Sequence, residues 1–145
     1  MRRLALLILS MTIGASLLPM SPAEAATSPE ARFVQLINAS RTAKGLNPLR
    51  WRSTLSEVAE RHSNRMLRDS DIYHNSKLGN EITGTWRLAG ENVGVGFDVA
   101  DLHAAFMAST SHRANIMRAR FDDIGLGVVV SGSGEVYVTE VFVDR

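Results

Sequence analysis

The 145-residue sequence contains no cysteine. That excludes a disulfide framework, a thiolate nucleophile, a cysteine-ligated zinc or iron–sulfur site, and a lipid anchor on a processed cysteine. It also lacks an excess of either charge, since 16 Lys and Arg stand against 15 Asp and Glu. A strongly basic nucleic-acid binder and an acidic disordered tail are thereby excluded. No apolar run is long enough for a bilayer: Leu4 to Leu18 carries no charge, but falls short of the ~20 residues a spanning helix needs. With Arg2-Arg3 before it and Ala23-Glu24-Ala25 after it, this run is expected to be a secretory signal peptide, residues 1–25, cleaved after Ala25. Its removal takes away Arg2, Arg3 and Glu24, so the two signs become equal and no membrane span is left. Residues 26–145 are expected to form one domain, large enough to bury roughly two-thirds of its unfolded surface without staples.

Ser28-Pro29-Glu30 supplies an N-cap, a proline at the first helical position and an early acid. Phe33, Leu36, Ile37 and Ser40 keep helical spacing and Gly45 closes the element, giving a helix near 30–44. Thr54 and Glu57 are spaced as a capping box, with Leu55, Val58, Ala59, His62 and Met66 following on one face, so a helix is expected over 54–68. From Asp69 to Arg87 the periodicity is lost, which predicts a long loop or short helical turns. Glu91 to Val95 reads as a short strand, 98–108 as a helix capped by Asp98, and His112 to Met117 as a short turn. Ile124–Val130 and Val136–Val143 are β-branched runs joined by Ser131-Gly132-Ser133-Gly134, a hairpin signal. Helices first and a hairpin last predict an α+β fold, an α/β/α sandwich around a small central antiparallel sheet.

Among chemistry-bearing residues, His62 and His103 lie on apolar helix faces, where a buried, hydrogen-bonded histidine is the plain reading. His74 and His112 lie instead in polar segments, Tyr73-His74-Asn75-Ser76 and Ser111-His112-Arg113-Ala114-Asn115-Ile116. Glu91, between Gly90 and Asn92, could bond two imidazoles or share a cation with them. There is no His-Glu-x-x-His pair, phosphate loop or Gly-x-Ser-x-Gly elbow.

The order of these pieces resembles the CAP superfamily (cysteine-rich secretory proteins, antigen 5, pathogenesis-related 1) in its short, cysteine-free bacterial form. The resemblance rests on Phe33–Gly45, Leu49-Arg50-Trp51, Tyr73-His74, Gly90-Glu91-Asn92-Val93, Ser109-x-x-His112-Arg113-Ala114-Asn115-Ile116, Ile124-Gly125-Leu126-Gly127 and Tyr137–Phe142, and covers about residues 31–143. It implies an α/β/α sandwich with a cleft lined by two histidines and acidic residues. His74 then matches the first histidine, Glu91 the glutamate of Gly-Glu-Asn, and His112 the second histidine. Many eukaryotic members carry a further glutamate in a Trp-Tyr-Ser-Glu stretch. Here the stretch reads Phe106-Met107-Ala108-Ser109, so the second acid is missing.

The function expected from this resemblance is a secreted, extracellular, non-enzymatic binding module. Its cleft of His74, Glu91 and His112 would hold a divalent cation such as zinc, a small ligand such as a lipid, or a cell-envelope component. Glu140 and Ser109 are additional candidates. The alternative is a metal-dependent hydrolase, a peptidase or esterase, in which the same three residues hold a cation that activates water. Convergence of the three is itself an expectation, with Glu91 accepting from an imidazole and leaving its other nitrogen toward the cleft.

Overall fold

The computed structural model describes residues 27–145; the expected signal peptide, 1–25, lies outside them. Helix α1 spans Pro29–Thr42, and Ser28 caps it by accepting from the Ala31 amide at 3.2 Å. The chain turns through Gly45, at φ +72°, into the two-residue strand β1, Arg50–Trp51. Helix α2 follows as Ser53–Asp69. Its N-cap is Arg52, with no side-chain cap, so Thr54 is inside the helix and the expected capping box does not form. The Arg52 amide donates to the Ile124 carbonyl, which holds the chain extended up to the point where the helix begins. A loop carrying the single turn α3, Leu78–Glu81, leads to strand β2, Leu88–Gly96. Then come α4, Val99–Ala108, α5, Thr110–Ile116, β3, Asp123–Val130, and β4, Val136–Asp144.

The sheet order is β1-β3-β4-β2. The hairpin β3–β4 and the pair β2–β4 are antiparallel, as expected, while the short β1 joins β3 in parallel. Alternation along β4 sorts the core into two sides. Val136, Val138 and Phe142 pack with Phe33 and Ile37 of α1, Leu102 and Phe106 of α4, and Ile116 of α5. Val141 and Val143 pack with Leu55, Val58 and Ala59 of α2. The result is three layers, helix–sheet–helix, with β4 buried on both faces.

Phe142 is fully buried and stacks on Phe121 at 5.5 Å between ring centroids. Phe142→Ala should cost about 3–4 kcal/mol in urea melts. A loss below about 1 kcal/mol would show that this face carries little of the core's stability.

A buried arginine ties the helical layer together. Arg41, near the end of α1, donates to the carbonyls of Asn47, Ile116, Arg118 and Phe121. These bonds satisfy the backbone leaving α5 and fix the loop that leads into β3.

Candidate functional site

Strand β2 lies at the outer edge of the sheet, and successive side chains along it point to opposite faces. Gly90-Glu91-Asn92 uses all three positions. Gly90 makes room: a Cβ there would stand 2.9 Å from the Phe121 ring and 3.0 Å from the Asn115 side-chain oxygen. Asn92, on the α5 side, donates its amide to the His112 carbonyl (3.1 Å) and to Glu140 Oε2 (2.8 Å). Asn115 donates to Asn92 Oδ1 (3.0 Å) and to the Glu91 carbonyl (3.1 Å). The two asparagines thus rivet α5 to the edge strand. Both lie in the motif segments, Asn92 next to Glu91 and Asn115 one helical turn after His112, and that placement was the only local signal of their role.

Glu91 points the other way. Its Oε1 lies 2.8 Å from His74 Nδ1 and accepts from the Asn75 amide at 2.9 Å. Its Oε2 is buried and has no partner. With Nδ1–H donating to the carboxylate, the Nε2 of a neutral His74 is left as the acceptor. The loop that carries His74 is held from behind by His62, whose Nε2 lies 2.7 Å from the Tyr73 carbonyl. His62 Nδ1 lies 3.3 Å from the Arg65 guanidinium, which can only donate, so Nε2–H is the donor to Tyr73. His62 is a buried structural residue, as its apolar helix face suggested. His103 is buried too, bonded to Ser40 at 2.9 Å.

His112 sits on α5 rather than in an irregular turn. Its ring stacks on Phe106 (4.7 Å, 18°), the residue occupying the position of the tryptophan in the eukaryotic pattern. Its Nδ1 lies 2.8 Å from Ser109 Oγ. Burial holds its pKa below the usual histidine value; the Val93 carbonyl opposes this, and His74 adds a repulsion that favours the neutral ring. The balance favours the uncharged ring.

His74, Glu91 and His112 line one cleft of about 80 Å³, together with Asn92, Ser111 and Asn115. His74 also borders a second polar cavity, of about 230 Å³, with His62, Arg65 and Lys77 in its wall. Neither Ser109 nor Glu140 lines the cleft. Ser109 acts on His112 from the side, and Glu140 is fully buried beneath, one hydrogen bond away through Asn92. Burial pushes the Glu140 carboxyl up to about 8, with the Asn92 bond working against it.

The expected metal set of His74, Glu91 and His112 does not assemble as three ligands. Among the described residues, no three His, Asp or Glu side chains are grouped to hold an ion. Glu91 commits Oε1 to His74 and to the backbone, and its Oε2 is left without a partner among the described residues.

Comparison with known proteins places these features in a family. The profile of the cysteine-rich secretory protein family, CAP, matches residues 34–143. The uncharacterized protein YkwD of Bacillus subtilis is 34% identical over 112 residues, covering 72% of this chain and 44% of its own length. An extracellular protein containing an SCP domain, from Bacillus anthracis, superposes with a TM-score of 0.73 at 25% identity, over 81% of this chain and 40% of that one. An outer surface protein of Borrelia burgdorferi gives a TM-score of 0.73 at 19% identity, over 79% of this chain and 90% of that one. The chain thus spans less than half the length of the two Bacillus relatives.

Proposed function

The chain belongs to the CAP family of cysteine-rich secretory proteins, and we propose that it is an extracellular, non-enzymatic binding module whose ligand presents a small polar group to His74 and His112. The observation that carries this reading is the His74–Glu91 pair at 2.8 Å in the same cleft as a neutral His112. One imidazole is held in a fixed tautomer by a carboxylate. The other is kept uncharged by burial. A cleft of about 80 Å³ takes one functional group of a larger molecule, or a few waters around an ion, but no peptide segment.

Export is supported by the charge-free run Leu4 to Leu18 before Ala23-Glu24-Ala25, and by relatives described as extracellular or outer surface proteins. Among the described residues no helix is long and apolar enough to cross a membrane. N-terminal sequencing of protein recovered from culture medium should begin at Ala26. Recovery only from the cytoplasm, with Met1 retained, would remove secretion from the reading.

A hydrolase is favoured by one contact, Ser109 Oγ to His112 Nδ1 at 2.8 Å. Against it, Ser109 does not line the cleft and no carboxylate is hydrogen-bonded to His112. The test is to extract secreted wild type and His74→Ala/His112→Ala protein, identify retained molecules by mass spectrometry, and assay both on casein and ester substrates. A polar molecule held by the wild type and lost from the variant, without turnover, is the expected result. Turnover abolished in His112→Ala would replace the module by the enzyme.

A further inference from the structure

At the opposite edge of the sheet from the histidine cleft, beside β1, lies an open groove of about 530 Å³ lined by Trp51, Ser53, Ser56, Glu57 and Glu60. Trp51 is an exposed large aromatic, with 46% of its surface open to solvent. It is nevertheless fixed. Its indole Nε1–H donates to Ser56 Oγ at 2.8 Å, and that oxygen also accepts from the Leu126 amide at 3.1 Å, so the ring is tied through α2 to β3. Glu57 and Glu60 stand one turn apart on α2, both exposed. Neither carboxylate is in an ion pair among the described residues. Of the neighbouring cations, Arg50 and Arg52 both direct their guanidiniums to Asp123, at 2.8 and 3.0 Å, while Arg61, next to Glu60 and one turn beyond Glu57, makes no ion pair among the described residues.

We propose that this groove is a binding site for an organic ammonium group, with the Trp51 indole and the Glu57 and Glu60 carboxylates as its recognition elements. A positioned aromatic ring attracts a cation through its quadrupole, and does so best when the cation is large and weakly hydrated. Two unpaired carboxylates on the same rim add a negative potential that a neutral ligand would not use. An immobilised indole gives up little conformational entropy on binding, which distinguishes this ring from an exposed tryptophan that merely lies on the surface. The volume lies in the range of small-molecule sites and has room for an alkylammonium with its chain. The groove shares no residue with the histidine cleft, so this assignment stands or falls independently of that one.

The test follows the indole N–H resonance of Trp51 by NMR, with Trp86, packed against the α2 side of the core, as the internal reference. Choline and Nα-acetyl-lysine amide should each shift the Trp51 signal saturably and leave Trp86 in place. The neutral isostere 3,3-dimethylbutanol should bind at least about tenfold more weakly, as should a neutral disaccharide. Glu57→Gln/Glu60→Gln, at two exposed helix positions where folding is not at stake, should weaken choline about fivefold, and added salt should weaken it in the wild type. Equal affinity for the neutral isostere would make the groove an apolar surface and overturn the proposal. So would unchanged choline affinity in the double variant, stronger binding of the disaccharide than of choline, or no saturable shift up to about 100 mM.

Discussion

Gly127→Ala should cost about 5 kcal/mol or more in urea melts. The reason is steric. A Cβ at Gly127 would lie 2.2 Å from the Ala59 carbonyl carbon and 2.2 Å from the Glu60 nitrogen, both backbone atoms of α2. Gly125, two residues earlier on the same face of β3, would meet the Leu55 backbone at 2.2 Å. The two glycines therefore form a flat track on which the α2 backbone rests directly against the strand. A side chain that collides can rotate away; a helix backbone cannot move without dragging Leu55, Val58 and Ala59 off Val141 and Val143. Ordinary overpacking costs about 1–3 kcal/mol, and a clash with main chain belongs above that range. Against a typical total of about 5–15 kcal/mol, such a loss removes roughly a third or more of the stability. A cooperative melt displaced by less than about 1 kcal/mol would mean that α2 can slide, and that the track is not needed.

The second large effect is a pH dependence centred on Glu140. Its folded-state pKa is raised from 4.5 to about 8, first by burial, with the Asn92 bond pulling the other way. The folded protein thus keeps a proton that the unfolded chain has already released. Between about pH 4.5 and 8 the native state binds more protons, so stability falls as pH rises through that window and levels off above it. A shift of this size corresponds to about 4–5 kcal/mol across the window. Glu140→Gln keeps an acceptor for Asn92 and removes the ionisation. The difference between wild type and Glu140→Gln in urea melts from pH 4.5 to 8.5 should therefore grow with pH, with the variant more stable at pH 8 by about 3 kcal/mol or more. A flat difference would show that Glu140 is ionised in the native state and stabilised by something other than Asn92.

Both effects bear on how much of this protein was legible in its sequence. The helices near 30–44, 54–68 and 98–108 and the C-terminal hairpin were readable because caps, 3.6-residue spacing and β-branched alternation are local signals. The start of α2 was misplaced because a hydrogen bond from Arg52 to Ile124, a contact made far along the chain, decided it over a local Thr54–Glu57 pattern. The glycines of Ile124-Gly125-Leu126-Gly127 were visible as part of a family pattern, but what they make room for, a helix backbone, is a tertiary fact.

For the candidate site, residue types in polar segments singled out His74, Glu91 and His112, and the structure puts them on one cleft from a loop, an edge strand and a short helix. Their division of labour was not readable. That Glu91 bonds His74 through Oε1 depends on where the His74 ring and the Asn75 amide come to rest. That Ser109 and Glu140 stand beside and beneath the cleft, not in it, depends on the pleat of β4 and the stacking of His112 on Phe106. By itself the sequence determined the exclusions that follow from having no cysteine and nearly balanced charge, the order of elements, and the face each core residue takes, because composition and periodicity act on the chain locally. Only the tertiary structure decided which hydrogen-bonding groups meet, and with them the tautomer of His74, the lowered pKa of His112 and the raised pKa of Glu140. Those depend on burial and on partners dozens of residues away, and no local pattern encodes either.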